Sequence, residues 1–331
     1  MSLMVCRTLL AFFLAGSLWG QVAIDKRVVL VGFQAADGRF VTGVDAARIR
    51  VPAASSLLSL AMDAQPRRIV LLIDGSGSMK QSWPHVLALC RVFLSCLSAG
   101  DQVALEVFAQ KHQTLLPYTS DLSLVDRQLT TLPVPGSQEA YRQRGRTTRM
   151  STALEESLAS NTAFQSGDAI LLVSDGNVNQ ERRRDRSEEQ LLRRGIRLFF
   201  AKVPDGRLYE EDSTLVKEPA SYAEAARRNR VMWGPRLAEH LALSTGGAII
   251  EPWVAAFVQT GRIDAALLPE AAHHAGVQAC ALIRHVYRVE LEFPAPLTKP
   301  FPFAIDLADE GGKRSGIRAL YPRFLMPRPV Q

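Results

Sequence analysis

The chain has 331 residues with a formal net charge of +6, and 47% of the residues are hydrophobic and 22% charged. This balance is typical of a globular protein and excludes a disordered, a collagenous or a multi-span membrane protein. The positive charge alone favours a nucleic acid or an acidic surface as partner. However, only seven of the 39 basic residues are Lys, and a GC-rich genome produces such an Arg bias without any selection for phosphate binding.

The N-terminal segment has the pattern of a secretory signal peptide. Residues 1–7 carry one positive charge, residues 8–19 form a short apolar run, and small residues that suit cleavage follow between Gly20 and Ala23. We therefore predict that residues 1–20 direct export to the periplasm or the cell surface and are then removed. An uncleaved N-terminal anchor is the alternative. No later segment reaches about 18 uninterrupted apolar residues, so we expect no transmembrane span in the mature chain.

Four cysteines do not make a disulfide framework. Cys6 leaves with the signal peptide, and Cys90 and Cys96 lie six residues apart on one predicted helix, where they point to different faces. Cys280 is isolated. Because an odd number remains in the mature chain, we expect buried free thiols, with one bridge from Cys90 or Cys96 to Cys280 as the alternative.

An N-terminal extension is predicted over residues 21–65. Residues 28–33 and 40–44 alternate in a strand-like way around the turn Ala36-Asp37-Gly38, which predicts a β-hairpin. A connector of small residues follows from residue 51.

From residue 66 to residue 252 short apolar runs alternate with helical patterns, which is typical of β-α-β units around a buried parallel sheet. The predicted strands are residues 69–73, 103–108, 114–116, 169–173, 196–203 and 248–250, the second and third as an antiparallel pair at one edge. The predicted helices are residues 84–97, 122–132, 151–159, 188–194 and 236–243. Residues 133–147 and a polar stretch up to about residue 230 are predicted loops. The fold class is therefore α/β, with a doubly wound, mostly parallel sheet and helices on both faces.

Residues 253–331 are predicted to form a C-terminal extension that is rich in β-structure. Residues 265–283 have a helical pattern. Strand-like runs at residues 285–293, 301–307 and 317–324 are separated by turns rich in Pro and Gly.

Polar side chains follow two of the predicted strands at their carboxyl ends. The first strand leads into Asp74-Gly75-Ser76-Gly77-Ser78, and strand 169–173 leads into Ser174-Asp175-Gly176. Thr147-Thr148 lies between them in the chain, in a loop before a helix. Because ligands of open α/β sheets bind outside the carboxyl ends of the strands, we expect these groups to converge there.

The chemistry of this set selects a hard divalent cation. Hydroxyl and carboxylate oxygens with no Cys or His nearby favour Mg²⁺, Mn²⁺ or Ca²⁺ over Zn²⁺. Only two carboxylates, those of Asp74 and Asp175, face the ion, so the ion stays electrophilic. It can therefore accept one further oxygen ligand, which a Glu or Asp of a partner protein would supply.

These residues resemble the metal-ion-dependent adhesion site of the von Willebrand factor A (vWA) domain, whose Asp-x-Ser-x-Ser, Thr and Asp-Gly elements occur here in that order. The resemblance covers about residues 66 to 252 and includes "LAEHLALSTGGAII", which is similar to the last helix and strand of that domain. It implies that Ser76 and Ser78 coordinate the ion directly and Thr148 directly or through water. It also implies that Asp74 and Asp175 act largely through water or as outer acceptors.

Two details refine the resemblance. Thr148 fits the family's spacing to the following Ala-Leu better than Thr147 does, whereas Arg146-Thr147 replaces the Gly that usually precedes the Thr. The flanking sequences "DGRFVTGV", "YRVELEF" and "IRALYP" are similar to secreted bacterial proteins of the type called VWFA-related in Acidobacteria. That resemblance implies fold and site but no named partner.

Three classes of function compete. The first is a non-enzymatic binding module for adhesion or envelope assembly, in which the ion coordinates an acidic group of a protein partner. The second is a metal-dependent hydrolase or phosphoesterase. Against it, no second carboxylate lies two residues after Asp74, Ser76 has no His at recognisable spacing, and the chain has no phosphate loop. We therefore predict a binding module that is not an enzyme.

The third class is an Arg-mediated binder of anionic surfaces. Arginines flank Thr148 and also follow Asp175 by a few residues, but no aromatic residues are interleaved for base stacking, so we do not expect nucleic acid as a partner. We predict instead a positive rim that steers an acidic partner toward the ion. The predicted rim residues are Arg144, Arg146, Arg149 and Arg182.

Overall fold

The structure is a computed structural model that describes residues 24–54, 56–176, 186–204, 233–253, 264–308 and 316–328, with the side chains of residues 233–236 excepted. The predicted signal peptide, most of the polar stretch before residue 230 and Arg182 lie outside these ranges. Within them, no helix combines the length and apolar character that crossing a bilayer requires.

Strands and helices alternate through the middle of the chain, and short strands follow the last helix. The strands are β1 (Asp25–Ala35), β2 (Ile49–Arg50), β3 (Ser56–Met62), β4 (Arg68–Asp74), β5 (Gln102–Phe108), β6 (His112–Thr119), β7 (Ala169–Ser174), β8 (Arg197–Lys202), β9 (Ile249–Ile250), β10 (Tyr287–Phe293), β11 (Phe301–Pro302), β12 (Asp306–Leu307), β13 (Ile317–Leu320) and β14 (Phe324–Leu325). The helices are α1 (Trp83–Ser95), α2 (Leu122–Thr130), α3 (Gln138–Arg144), α4 (Met150–Ser160), α5 (Ser187–Arg194), α6 (Trp233–Ser244) and α7 (Leu268–Arg284).

The main sheet has six strands in the order β6-β5-β4-β7-β8-β9. All neighbours are parallel except β5 and β6, which pair antiparallel at the edge. The central strand β4 is apolar and buried from Ile69 to Ile73 because helices cover both faces of the sheet. This arrangement confirms the predicted fold class and the antiparallel edge.

Alternate residues of the central strands enter two separate cores. Ile69, Leu71 and Ile73 pack under α1, α2 and α7 on one face. Val70 and Leu72 pack under α4, α5 and α6 on the other face. The period of two along each strand thus divides one apolar run between two helical layers.

The loop predicted at residues 133–147 contains the short helix α3. This helix was not predicted because the residues on both sides of it are rich in Pro and Gly. Ser137 caps its N-terminus, because the Ser137 hydroxyl accepts a hydrogen bond from the Ala140 N–H at 3.1 Å. Gly145 ends the helix with a φ of 81°, a conformation that glycine adopts without strain.

The two extensions form one sheet rather than two separate units. Its strand order is β13-β1-β10-β3, so strands from both ends of the chain alternate in it. The predicted hairpin after β1 is reduced to a turn with a single bridge between Gln34 and Phe40. The predicted connector contains the edge strand β3. Sequence periodicity identified strands β1 and β10 but could not show that they pair with each other.

Helix α7 belongs to the core of the main sheet, although the sequence placed it in the C-terminal extension. It approaches α1 closely at Gly276, where a Cβ atom would lie 2.7 Å from the Leu89 carbonyl oxygen. The buried Arg197 of β8 donates to the carbonyls of Leu282 and Ile283 at 3.4 and 2.8 Å. A boundary at residue 252 therefore divides residues that pack in one core.

Cys96 and Cys280 form a disulfide across a sequence separation of 184 residues, while Cys90 is free and buried. The expectation of free thiols throughout was therefore wrong, and the bridged alternative holds with Cys96. Sequence reasoning could not select it because the packing of α7 on α1 decides which cysteine faces Cys280. The bond joins the end of α1 to α7. Burial raises the pKa of the Cys90 thiol to about 12, which keeps this thiol unreactive.

We expect the Cys96–Cys280 bond to contribute about 2–4 kcal/mol to the free energy of unfolding, since it closes a long loop in the unfolded chain. Urea unfolding of a Cys96→Ala/Cys280→Ala variant measures this loss. Cys90→Ala is the matched control that leaves the bond intact. Unchanged stability in the double variant, or three titratable thiols in the denatured, non-reduced mature chain, would contradict the assignment.

Candidate metal centre

The Asp-Gly-Ser-Gly-Ser turn lies at the carboxyl end of β4, the central strand. The Gly75 N–H donates to the Phe108 carbonyl at the end of β5 at 2.7 Å, which ties the turn to the neighbouring strand. A short 3-10 helix over Gly77–Lys80 follows, and the side chain of Met79 in it is fully buried in the core. The turn is therefore held at both ends, so its side chains are pre-positioned.

The Asp74 carboxylate is completely buried at this edge. Its Oδ1 accepts a hydrogen bond from the Ser76 N–H at 2.9 Å, and its Oδ2 accepts one from the Ser174 hydroxyl at 2.7 Å. Burial raises the pKa of Asp74, and the hydrogen bonds from Ser174 and Ser76 and the charge of Arg144 oppose that rise. Because both oxygens already accept a hydrogen bond, the geometry favours an outer role for this carboxylate.

Ser76 and Ser78 bring their hydroxyl oxygens together. The two Oγ atoms lie 3.2 Å apart, close to the roughly 3 Å that separates neighbouring oxygens in an octahedron with Mg–O distances of about 2.0–2.1 Å. Within the described residues, no three His, Cys, Asp or Glu side chains cluster to hold a metal. The serine pair offers two neighbouring hydroxyl oxygens at this edge.

Thr148 is buried, with 2% of its surface exposed, in the loop between α3 and α4. Hydrogen bonds fix this loop to the turn between β5 and β6. The Arg149 N–H donates to the Ala109 carbonyl, and the N–H groups of Gln110 and Lys111 donate to the Arg144 carbonyl, all at 3.0 Å. The loop that carries Thr148 is therefore anchored beside the strand that anchors Gly75.

Asp175 follows β7 directly and is 4% exposed. Strands β4 and β7 are parallel, with Ile73 opposite Val173, so Asp74 and Ser174 meet at the same level of the sheet. The Ser174 hydroxyl joins the two turns, since it donates to Asp74 and accepts from the Gly176 N–H at 2.9 Å. The structure thus brings Asp74, Ser76, Ser78 and Ser174 into one bonded cluster. Metal ligation by the five predicted residues remains a prediction.

The predicted Arg rim needs one correction. Arg144 is fully buried, because α3 turns its side chain inward, so its charge cannot form part of an exposed rim. Arg146 and Arg149 are exposed, and the Arg146 guanidinium lies over the Tyr141 ring at 5.1 Å. Arg182 lies outside the described residues.

Sequence reasoning gave no role to two residues at this edge, Ser174 and Tyr141. Ser174 had a detectable signal, because it is the residue at the end of β7 that corresponds in register to Asp74. Tyr141 had none. Its hydroxyl oxygen lies 2.9 Å from the position that a Cβ of Gly77 would take, so α3 packs directly on the serine turn.

The fold and this edge define a vWA-type protein, and sequence similarity gives the family. Residues 51–226 match the family described as "VWA domain containing CoxE-like protein". This match covers more than half of the chain, so the chain belongs to that family. No curated protein is detectably similar to the sequence.

Several solved structures are similar to the chain at low identity. A von Willebrand factor type A protein from Catenulispora acidiphila is 13% identical with a TM-score of 0.43, over 90% of this chain and 73% of that one. An aerotolerance-related membrane protein from Bacteroides fragilis is 15% identical with a TM-score of 0.41, over 66% and 98%. Proximal thread matrix protein 1 of the mussel byssus, described with a zinc-occupied MIDAS motif, is 17% identical with a TM-score of 0.35, over 44% and 39%. The family membership depends on the match over residues 51–226.

The adjacent threonines offer a matched pair of variants. We expect Thr148→Ala to weaken Mg²⁺ binding about tenfold or more, a loss of the size that even outer residues of metal sites produce. Thr147→Ala should leave the affinity near that of the wild type. Isothermal titration with Mg²⁺ measures both. Equal losses of affinity in the two variants, or a loss only in Thr147→Ala, would contradict the assignment of Thr148, rather than Thr147, to the metal site.

Proposed function

We propose that this protein is an exported, non-enzymatic binding module that holds a divalent cation, Mg²⁺ or else Mn²⁺ or Ca²⁺, at Asp74, Ser76, Ser78, Thr148 and Asp175. The ion coordinates a Glu or Asp side chain of a protein partner in adhesion or envelope assembly. When bound, the ion supplies an electrophilic position for that carboxylate. The chain's own residues hold the ion at the edge of the sheet.

One observation carries this proposal: the Oγ atoms of Ser76 and Ser78 lie 3.2 Å apart, beside a fully buried carboxylate at the carboxyl edge of the sheet. If these two hydroxyls are neighbouring ligands, they leave most of the charge of a dication uncompensated, because they are neutral. Asp74, engaged by Ser174 and by the Ser76 N–H, supplies negative charge without filling a ligand position of its own. Such a site favours an anionic oxygen from outside.

The surroundings of the site support an acidic protein partner. Exposed arginines occur on both sides of Thr148 and after Asp175. They are Arg142 near the end of α3, Arg146 and Arg149 in the loop that carries Thr148, and Arg186 at the start of α5. Exposed charges of one sign raise the association rate of an oppositely charged partner, and salt weakens that effect. The revised rim therefore consists of exposed arginines, without Arg144.

The disulfide between Cys96 and Cys280 supports export. Disulfides form and persist in oxidising compartments and are rare in the cytosol of most organisms. Together with the signal-peptide pattern of residues 1–20, the bond favours the periplasm or the cell surface.

Partner binding should depend on the ion. In a pull-down from the native cell envelope with immobilised protein, we expect partners that bind in Mg²⁺ to be lost in EDTA and with Ser76→Ala. The exposed Ser95→Ala is the matched control and should retain them. The amount of partner that is captured in Mg²⁺ should decrease as the ionic strength rises. Partners that persist both in EDTA and with Ser76→Ala would argue that the site has no role in recognition.

We expect no metal-dependent turnover of generic phosphoesters such as p-nitrophenyl phosphate, because the sequence has no second carboxylate two residues after Asp74 and no His at recognisable spacing to activate Ser76. The assay compares wild type with Asp74→Ala in Mg²⁺ and in Mn²⁺. Turnover by the wild type that disappears in Asp74→Ala would replace the binding module with a hydrolase.

A further inference from the structure

Arg144 is the largest of the fully buried side chains that the structure describes. It is the last residue of α3, and its Nη2 donates to the Pro133 carbonyl at 3.1 Å. Its Nε and Nη1 are buried and have no hydrogen-bond partner among the described residues. A buried cation with so few partners is costly unless a nearby anion compensates it.

The guanidinium lies against the predicted metal turn. A Cβ atom at Gly75 would be 2.9 Å from the Arg144 Nε and 3.3 Å from its Cζ, so the absence of a side chain at residue 75 makes room for this charge. Gly75 lies between Asp74 and Ser76. The positive charge therefore lies next to the turn that would carry the ion.

Two carboxylates act on this charge, the exposed Glu139 and the buried Asp74. Burial raises the pKa of Asp74, and the charge of Arg144 opposes that rise. Burial lowers the pKa of Arg144, and the charges of Glu139 and, less strongly, of Asp74 oppose that effect. Glu139 lies on the same helix, α3, whereas Asp74 belongs to the sheet edge. Arg144 of α3 therefore lies against Gly75 of the metal turn and interacts by charge with the neighbouring Asp74.

We propose that Arg144 is a built-in cation of the metal turn, which keeps Asp74 compensated when no ion is bound and so weakens the binding of the divalent cation. This inference rests on the proposed function, since it concerns the affinity of the same site. The physical basis is the repulsion between a fixed positive charge and a dication in a poorly screened environment. The charge of Arg144 thus stabilises the protein when no ion is bound, and it lowers the affinity of the site for the divalent cation.

The first test changes the charge but keeps much of the shape. Isothermal titration with Mg²⁺ should give a Kd about tenfold or more lower for Arg144→Met than for wild type, since a unit charge close to a dication is removed. Arg144→Lys retains the charge and should stay within about threefold of wild type. Arg39→Met, at an exposed position in the turn after β1, controls for the overall loss of one arginine.

The outcomes separate this inference from the proposed function. Equal Mg²⁺ affinities in wild type and Arg144→Met, or a weaker affinity in Arg144→Met, would overturn the role of Arg144 and leave the proposed function intact. If neither protein bound Mg²⁺, both proposals would fail.

A second test needs no metal, and its first step does not depend on the folding of Arg144→Met. In EDTA, Asp74→Asn should lower the melting temperature, because it removes the buried one of the two carboxylates that favour the charged form of Arg144. Adding Arg144→Met to Asp74→Asn should recover part of the loss, as coupled residues in a double-mutant cycle do. An unchanged or raised melting temperature for Asp74→Asn would overturn the pairing.

Discussion

The burial of the Asp74 carboxylate is the constraint on which the functional edge depends. A fully buried anion must be compensated by hydrogen bonds and by charge. The parallel register of β4 and β7 supplies the Ser174 hydroxyl, and the turn itself supplies the Ser76 N–H. The contact with Ser174 also joins the turns after both strands. The requirement to satisfy one carboxylate therefore organises the part of the predicted metal centre that lies on these two turns.

The rest of the molecule stabilises the layers that hold this edge in place. Helix α7 covers one face of the main sheet, approaches α1 closely at Gly276 and is joined to the end of α1 by the Cys96–Cys280 bond. Strand β10 follows α7 and pairs with β1 over Asp25–Val31. Both ends of the chain thus meet in one small sheet, and the polypeptide that flanks the family match is part of the support of the main fold.

The sequence predicted most of what local patterns determine. The continuous apolar runs gave the buried strands, and helical periodicity gave α1, α2 and α4 to within a few residues, since each pattern reports the burial of its own segment. The Asp-Gly-Ser-Gly-Ser turn was predicted to lie at a strand end, and it does. Pairing between distant segments could not be predicted in this way: the shared sheet, the position of α7 and the choice of Cys96 over Cys90 all depend on tertiary contacts. Arg144 shows the same limit, since its charge predicted exposure whereas α3 buries it.

The central claim is that a divalent cation binds at the hydroxyls of Ser76 and Ser78, next to the buried Asp74. Crystals of the protein soaked in Mn²⁺ and measured near the manganese absorption edge test this claim most directly. The account predicts an anomalous peak within bonding distance of the Oγ atoms of both Ser76 and Ser78, with Thr148 and Asp175 beside it. The absence of that peak at saturating Mn²⁺, or a peak that contacts neither serine, would contradict the account.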